Sequence, residues 1–118
     1  MNHQNGRKKL NVKPSHKRSL LRNQAIHFIL QGHLTTTKAT AKEVQRFTEK
    51  LVTLARDGNH FNNRRRAKAL LPYKEEALVA LFKDIAPRYV ERNGGYTRLI
   101  TLGRRISDTA MIARLEWV

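Results

Sequence analysis

The side chains best able to do chemistry in this sequence are its cations. Arg64-Arg65-Arg66 stand in a row, Lys42, Arg46 and Lys50 recur at i, i+4 and i+8, and Arg18 and Arg22 are four apart. Guanidinium and ammonium groups in such runs bind phosphate; they do not make or break bonds. Consecutive arginines fan around a helix, so Arg64, Arg65 and Arg66 cannot all serve one carboxylate, and at least one meets solvent or phosphate. The Lys42 ridge reads equally well as a solvated helix face or as a binding face. Bond-making chemistry has no comparable constellation. The five histidines, His3, His16, His27, His33 and His60, show neither HExxH nor another metal-ligand spacing. GxSxG, the Walker loop and GxGxxG are absent from the sequence. His16-Lys17-Arg18 is the best acid–base triplet for a ribonuclease, but any strongly basic chain contains such triplets. The expectation is therefore a binding protein with no catalytic residue, no metal and no cofactor.

Composition says what is bound. The 118 residues carry 24 Lys plus Arg against 9 Asp plus Glu, a formal charge of +15. A compact state with that charge repels itself, and a polyanion relieves the repulsion. RNA or DNA is the commonest such partner; an anionic membrane is another. The charge is uneven. Residues 1–42 hold nine basic side chains and no acid, and Glu43 is the first carboxylate. The 40% hydrophobic content allows one core. The absence of cysteine excludes a disulfide scaffold, cysteine-type zinc fingers and a thiol nucleophile. No apolar run approaches the roughly 20 residues of a membrane span. Residues 1–14 offer only Leu10 and Val12 as bulky anchors, which argues against a membrane-surface protein.

The cations must be positioned by local elements. Residues 1–14 read as an extended basic arm with Arg7, Lys8, Lys9 and Lys13, and residues 15–118 as a single domain. The spacing predicts a first helix over 15–31, with Ser15 as its N-cap and Gly32 at its C-terminal end. Leu21, Ala25, Phe28 and Ile29 form its buried stripe. Residues 33–37 read as an edge strand. A second helix runs from Lys38 or Ala41 to Arg56, with Thr40 and Glu43 spaced as a capping box or Thr37 as the cap. Its core face is Val44, Phe47, Leu51 and Leu54. Helices over 62–71 and 74–85 follow, the last stopped by Pro87. The period then changes from 3.6 to 2: residues 88–92 read as a strand, Asn93-Gly94-Gly95 as a hairpin turn and 96–102 as a second strand. Residues 103–109, with Arg104 and Arg105, make a basic loop, and 111–118 a closing strand. The class is α+β, about four helices packed on a small mixed or antiparallel sheet formed mostly by the C-terminal third.

The string Arg92-Asn93-Gly94-Gly95-Tyr96-Thr97-Arg98 admits two readings. In one, the glycines supply a tight hairpin and the tyrosine packs. In the other, the glycines let backbone approach an RNA strand, Tyr96 stacks on a base or sugar, and Arg92 and Arg98 sit near phosphate. Composition does not separate them.

With Glu91 before it and Leu99-Ile100 after it, this string closely resembles the most recognisable segment of the bacterial large-subunit ribosomal protein seventeen family. The resemblance continues end to end, through Gly6-Arg7-Lys8-Lys9-Leu10-Asn11, Ser15-His16-Lys17-Arg18, Leu21-Arg22-Asn23-Gln24-Ala25, Ala41-Lys42-Glu43-Val44, Asn63-Arg64-Arg65, Ala86-Pro87-Arg88-Tyr89 and Ala113-Arg114-Leu115-Glu116. The sequence departs from the family's usual pattern at Asn2, at Ala39-Thr40 and in the loop Ile106-Ser107-Asp108-Thr109. The resemblance implies a structural constituent of the large ribosomal subunit, on its solvent side near the exit of the peptide tunnel. It implies large-subunit ribosomal RNA and neighbouring ribosomal proteins as partners, a cytoplasmic ribosome as the location, and neither a membrane nor a small-molecule substrate. The candidate RNA-binding residues are Arg7, Lys8, Lys9, Lys13, His16, Lys17, Arg18, Arg22, Lys42, Arg64, Arg65, Arg92, Tyr96, Arg98, Arg104 and Arg105. A basic DNA-binding regulator using the first or second helix for recognition is the alternative. It requires helix-turn-helix geometry, against which the strand expected at 33–37 speaks.

Overall fold

The computed structural model describes residues 13–118 apart from Asn59 and Tyr73. Arg7, Lys8, Lys9 and the rest of the expected arm up to residue 12 lie outside the described residues. Helix α1, Pro14–Gln31, begins one residue before the expected start at residue 15. Pro14 takes the first helical position, where a missing N–H costs nothing, and extended Lys13 precedes it, so Ser15 does not cap. Gly32 closes the helix in the left-handed region, φ 87°, its N–H donating to the Phe28 carbonyl. Strand β1, His33–Thr37, leads into α2, Lys38–Arg56. Thr37 stands at the cap position, but its hydroxyl bonds Thr40 Oγ1 at 2.9 Å. The Thr40–Glu43 box does not form, because α2 starts at Lys38 and Thr40 lies inside it; Glu43 is buried, 3.9 Å from Lys17 of α1.

Helix α3 spans Phe61–Leu70 and α4 spans Glu75–Ala80. After α4 the chain widens into a π-helical turn, Leu81–Ile85, where the Ala86 N–H reaches the Leu81 carbonyl. It then tightens into a 3-10 turn, Ala86–Tyr89. Pro87 has no N–H to continue the α-ladder, and the change of winding falls at that position. The strand expected at 88–92 is therefore not formed: Ala86 and Tyr89, three apart, are both buried on one side of the 3-10 turn. With no strand there, Asn93-Gly94-Gly95 is not a hairpin turn either. The hairpin is instead β2, Thr97–Arg104, paired with β3, Met111–Trp117.

The sheet is antiparallel with order β1-β3-β2, so the last strand is central and β1 is an edge, as its sequence implied. Leu115 lies opposite Leu34 on one side and Leu99 on the other. Ala113 and Leu115 point to the core. Between Thr101 and Gly103 the register slips at a bulge. Phe28, Leu34, Val44 and Leu115 form one apolar cluster between α1, α2 and the sheet. A larger one joins Ala25, Ile29, Leu51, Leu71, Leu81 and Tyr96. Trp117 packs against both, stacked 4.4 Å from the Phe28 ring and 6.1 Å from Tyr89. On α1, Leu21 is only half-buried, while Ile26 joins Ala25, Phe28 and Ile29 inside. On α2 the deep positions are Ala41, Val44, Thr48, Leu51, Val52 and Ala55, with Phe47 and Leu54 at the margin. No helix among the described residues is long and apolar enough to cross a membrane.

Candidate nucleic-acid interface

The helices bury one face each and leave most of their cations outside. Lys13 just before α1 and His16 and Arg18 on it are exposed, while Lys17 and Arg22 are half-buried. On α2, Lys42, Arg46 and Lys50 are exposed and make no ion pair among the described residues. At the C-terminal end of this ridge, Lys50 shares a shallow groove with Arg66 of α3, Asp57 and Leu70. The arginine run fans as its helical spacing requires. Arg66 turns toward α2, and Arg64 and Arg65 line a second groove between α3 and α4. The Arg65 guanidinium lies 6.0 Å from the Phe61 ring centre, a cation–π contact. Two of the candidate clusters, the α2 ridge and the α3 arginines, are thus adjoining through Arg66; the start of α1 adds exposed cations of its own.

The glycine-bearing segment has a different role from the one in which Tyr96 stacks on a base. Tyr96 is 1% exposed, so its ring is core and unavailable for stacking. Its hydroxyl meets Thr53 Oγ1 at 3.1 Å and accepts from Arg56 Nη1 at 3.3 Å. Burial pushes the phenol pKa up, but the bonds from Thr53, Arg56 and the Gly94 backbone together hold it below its ordinary value. Arg56 also donates from Nη2 to the Val90 carbonyl at 3.0 Å and to Asn93 Oδ1 at 3.2 Å. Next along the chain, Glu49 accepts from the Thr97 N–H at 3.1 Å and from its hydroxyl at 2.7 Å, and Gln45 donates to the same hydroxyl at 3.0 Å. Gln45, Glu49, Thr53 and Arg56 form one polar row on α2 that holds Tyr96-Thr97 in place. Sequence reasoning missed this row. Its i, i+4, i+8 spacing was visible, but its partner, some forty residues away, was not. Arg92 and Arg98 flank the segment on the outside, Arg92 donating to the Gly95 carbonyl and Arg98 paired to Glu116 Oε1 at 3.0 Å.

The loop joining β2 to β3 presents Arg104 and Arg105, both exposed. Arg105 grips Asp108 with two bonds, Nε–Oδ1 at 3.0 Å and Nη2–Oδ2 at 2.7 Å, and Arg104 Nη1 donates to the Thr109 carbonyl at 3.1 Å. The Arg105 guanidinium, with help from the Ala110 N–H, lowers the Asp108 carboxyl to about 2. Among the described residues no group of His, Asp and Glu side chains is placed to hold a metal ion.

Residues 20–118 match the family model described as Ribosomal protein L17. Large ribosomal subunit protein bL17 of Akkermansia muciniphila is 46% identical over 108 residues, covering 92% of this chain and 78% of that protein. Its counterpart in Sulfurovum sp. is 41% identical over 118 residues, covering 100% of both chains. The Sphingopyxis alaskensis protein is 43% identical over 118 residues, covering 100% of this chain and 84% of its own.

Proposed function

The chain belongs to the ribosomal protein L17 family, structural proteins of the large subunit and not enzymes, and from there we propose that it binds and packs large-subunit ribosomal RNA. The observation that carries this reading is the unpaired cationic surface running from Lys42, Arg46 and Lys50 of α2 to Arg66 of α3. Lys13, His16 and Arg18, at and just after the start of α1, add exposed charge on more than one face, and Arg7, Lys8 and Lys9 add charge in an acid-free stretch. Arg104 and Arg105 supply a further cationic site at the hairpin tip. Rigid A-form RNA hides its base edges in a deep groove, so these groups select RNA by shape and phosphate spacing. The protein sits on the solvent side near the tunnel exit of a cytoplasmic ribosome and touches neighbouring ribosomal proteins. A helix-turn-helix regulator does not fit, because strand β1 intervenes between α1 and α2.

Filter binding to bacterial large-subunit ribosomal RNA tests the mechanism. If six to ten phosphates are neutralised, affinity falls about a thousandfold or more between 50 and 200 mM salt. A binding constant indifferent to salt overturns it. For the location, the chain stays with the large subunit through a high-salt wash and crosslinks to an emerging nascent chain.

A further inference from the structure

Two helical faces confront each other across an open groove of about 520 Å³ between α3 and α4. Helix α3 contributes Phe61, Arg64, Arg65 and Lys68, at i, i+3, i+4 and i+7; α4 and its π-helical turn contribute Leu78, Val79 and Phe82 at the equivalent spacing of a single face. One wall is thus cationic with a single aromatic ring, and the other is apolar between Glu75 at one end and Lys83 at the other. Phe61 is 69% exposed and Val79 51%, apolar surface that gains by being covered. Lys83 adds a fourth cation to the lining, and Glu75 is its one carboxylate. Glu75 lies 3.9 Å from Lys68 with both side chains mostly in water, so it neutralises little.

An occupant must therefore carry negative charge on one side and a flat or apolar surface on the other. We propose that this groove receives an unstacked nucleotide of large-subunit ribosomal RNA, its base against Phe61 and the apolar wall of α4, its phosphate on Arg64, Arg65 and Lys68. The inference rests on the RNA-binding reading above and goes further, assigning recognition of a single base to a chain that otherwise reads shape. Unstacked bases pack on aromatic side chains and arginine planes, and the Phe61–Arg65 contact presents both groups together. A protein segment with acidic flanks is the competing occupant. The surroundings favour RNA, because the lining sets four cations against one carboxylate, and Arg66 and Lys50 add positive charge in the second groove, between α2 and α3.

The test uses the full chain with photoreactive benzoylphenylalanine in place of Phe61, assembled into large subunits in cells. Irradiation of salt-washed subunits is expected to join it to one ribosomal RNA nucleotide; joining to a protein, or to nothing, overturns the assignment. In equilibrium binding to purified bacterial large-subunit ribosomal RNA, Phe61→Ala should weaken affinity roughly five- to a hundredfold without changing the salt slope. Phe61→Trp should bind within about twofold of the native chain, keeping the stack. Replacing Arg64 and Arg65 together with alanine should instead lower the slope by about two. Because Phe61 is exposed, an unchanged unfolding midpoint for Phe61→Ala separates lost contact from lost fold. If the native chain itself fails to bind the RNA, the parent reading fails. If it binds and Phe61→Ala binds equally well, only the groove assignment fails.

Discussion

Residues 92–98 and 103–110 are alike as strings, each with glycine, threonine and two arginines, yet they end in opposite situations. The first is held to α2 by side chains of Glu49, Thr53 and Arg56 and buries Tyr96. The second closes only on itself, through Arg105–Asp108 and Arg104–Thr109, and stays in water. Similar residue types thus serve folding in one place and present charge in the other. What separates them is whether a helix stands within reach to supply complementary polar groups.

The contrast is broken most severely by Tyr96→Ala. Emptying a fully buried aromatic site costs about 3–5 kcal/mol, read as a lower denaturation midpoint. A loss under about 1 kcal/mol would show that the ring is not core. Glu49→Ala comes next. It strips the Thr97 N–H and hydroxyl of their carboxylate, and unfolding in urea should show a cost of about 1–3 kcal/mol.

On the other segment, replacing Arg104 and Arg105 together with alanine should leave stability within about 0.5 kcal/mol. The same pair should reduce the salt slope of RNA binding by about two, through lost phosphate contacts. A destabilisation matching that of Glu49→Ala would erase the distinction. The smallest effect is the titration of Asp108. Its folded pKa, about 2, lies below the ordinary 3.8, so the loop closure it supports is complete above about 4 and is lost as pH falls through about 2. A carboxyl resonance followed by NMR should give that midpoint and return toward the ordinary value in Arg105→Ala. Titration at the ordinary value in the native chain would mean that the Arg105 clasp does not form in solution.

Much of this architecture was legible beforehand. Helices α1 and α2 announced themselves by apolar spacing and by Gly32, and β1 by its β-branched run. The errors cluster around residues 86–97. There the change of period from 3.6 to 2 suggested a strand over 88–92, whereas Pro87 and the burial of Ala86 and Tyr89 made a 3-10 turn. The hairpin consequently moved one segment along the chain. Tyr96 sat where either reading of the glycine string placed an aromatic ring, and only its neighbours on α2 decided between them. Thr40 and Glu43 had capping-box spacing, yet α2 starts at Lys38 and encloses Thr40.

The sequence alone determined the positive excess, its acid-free first third, the α+β class and the fan of Arg64, Arg65 and Arg66. These follow from side-chain ionisation and from periods set within a few neighbouring residues. Only the tertiary structure decided that β3 is central, that Arg66 joins Lys50 while Arg64 and Arg65 face α4, and that the glycine segment is a clasp. Those outcomes depend on groups distant in the chain, such as Lys50 with Arg66, Thr53 with Tyr96 and Glu49 with Thr97, and no local pattern encodes which distant partner a side chain will meet.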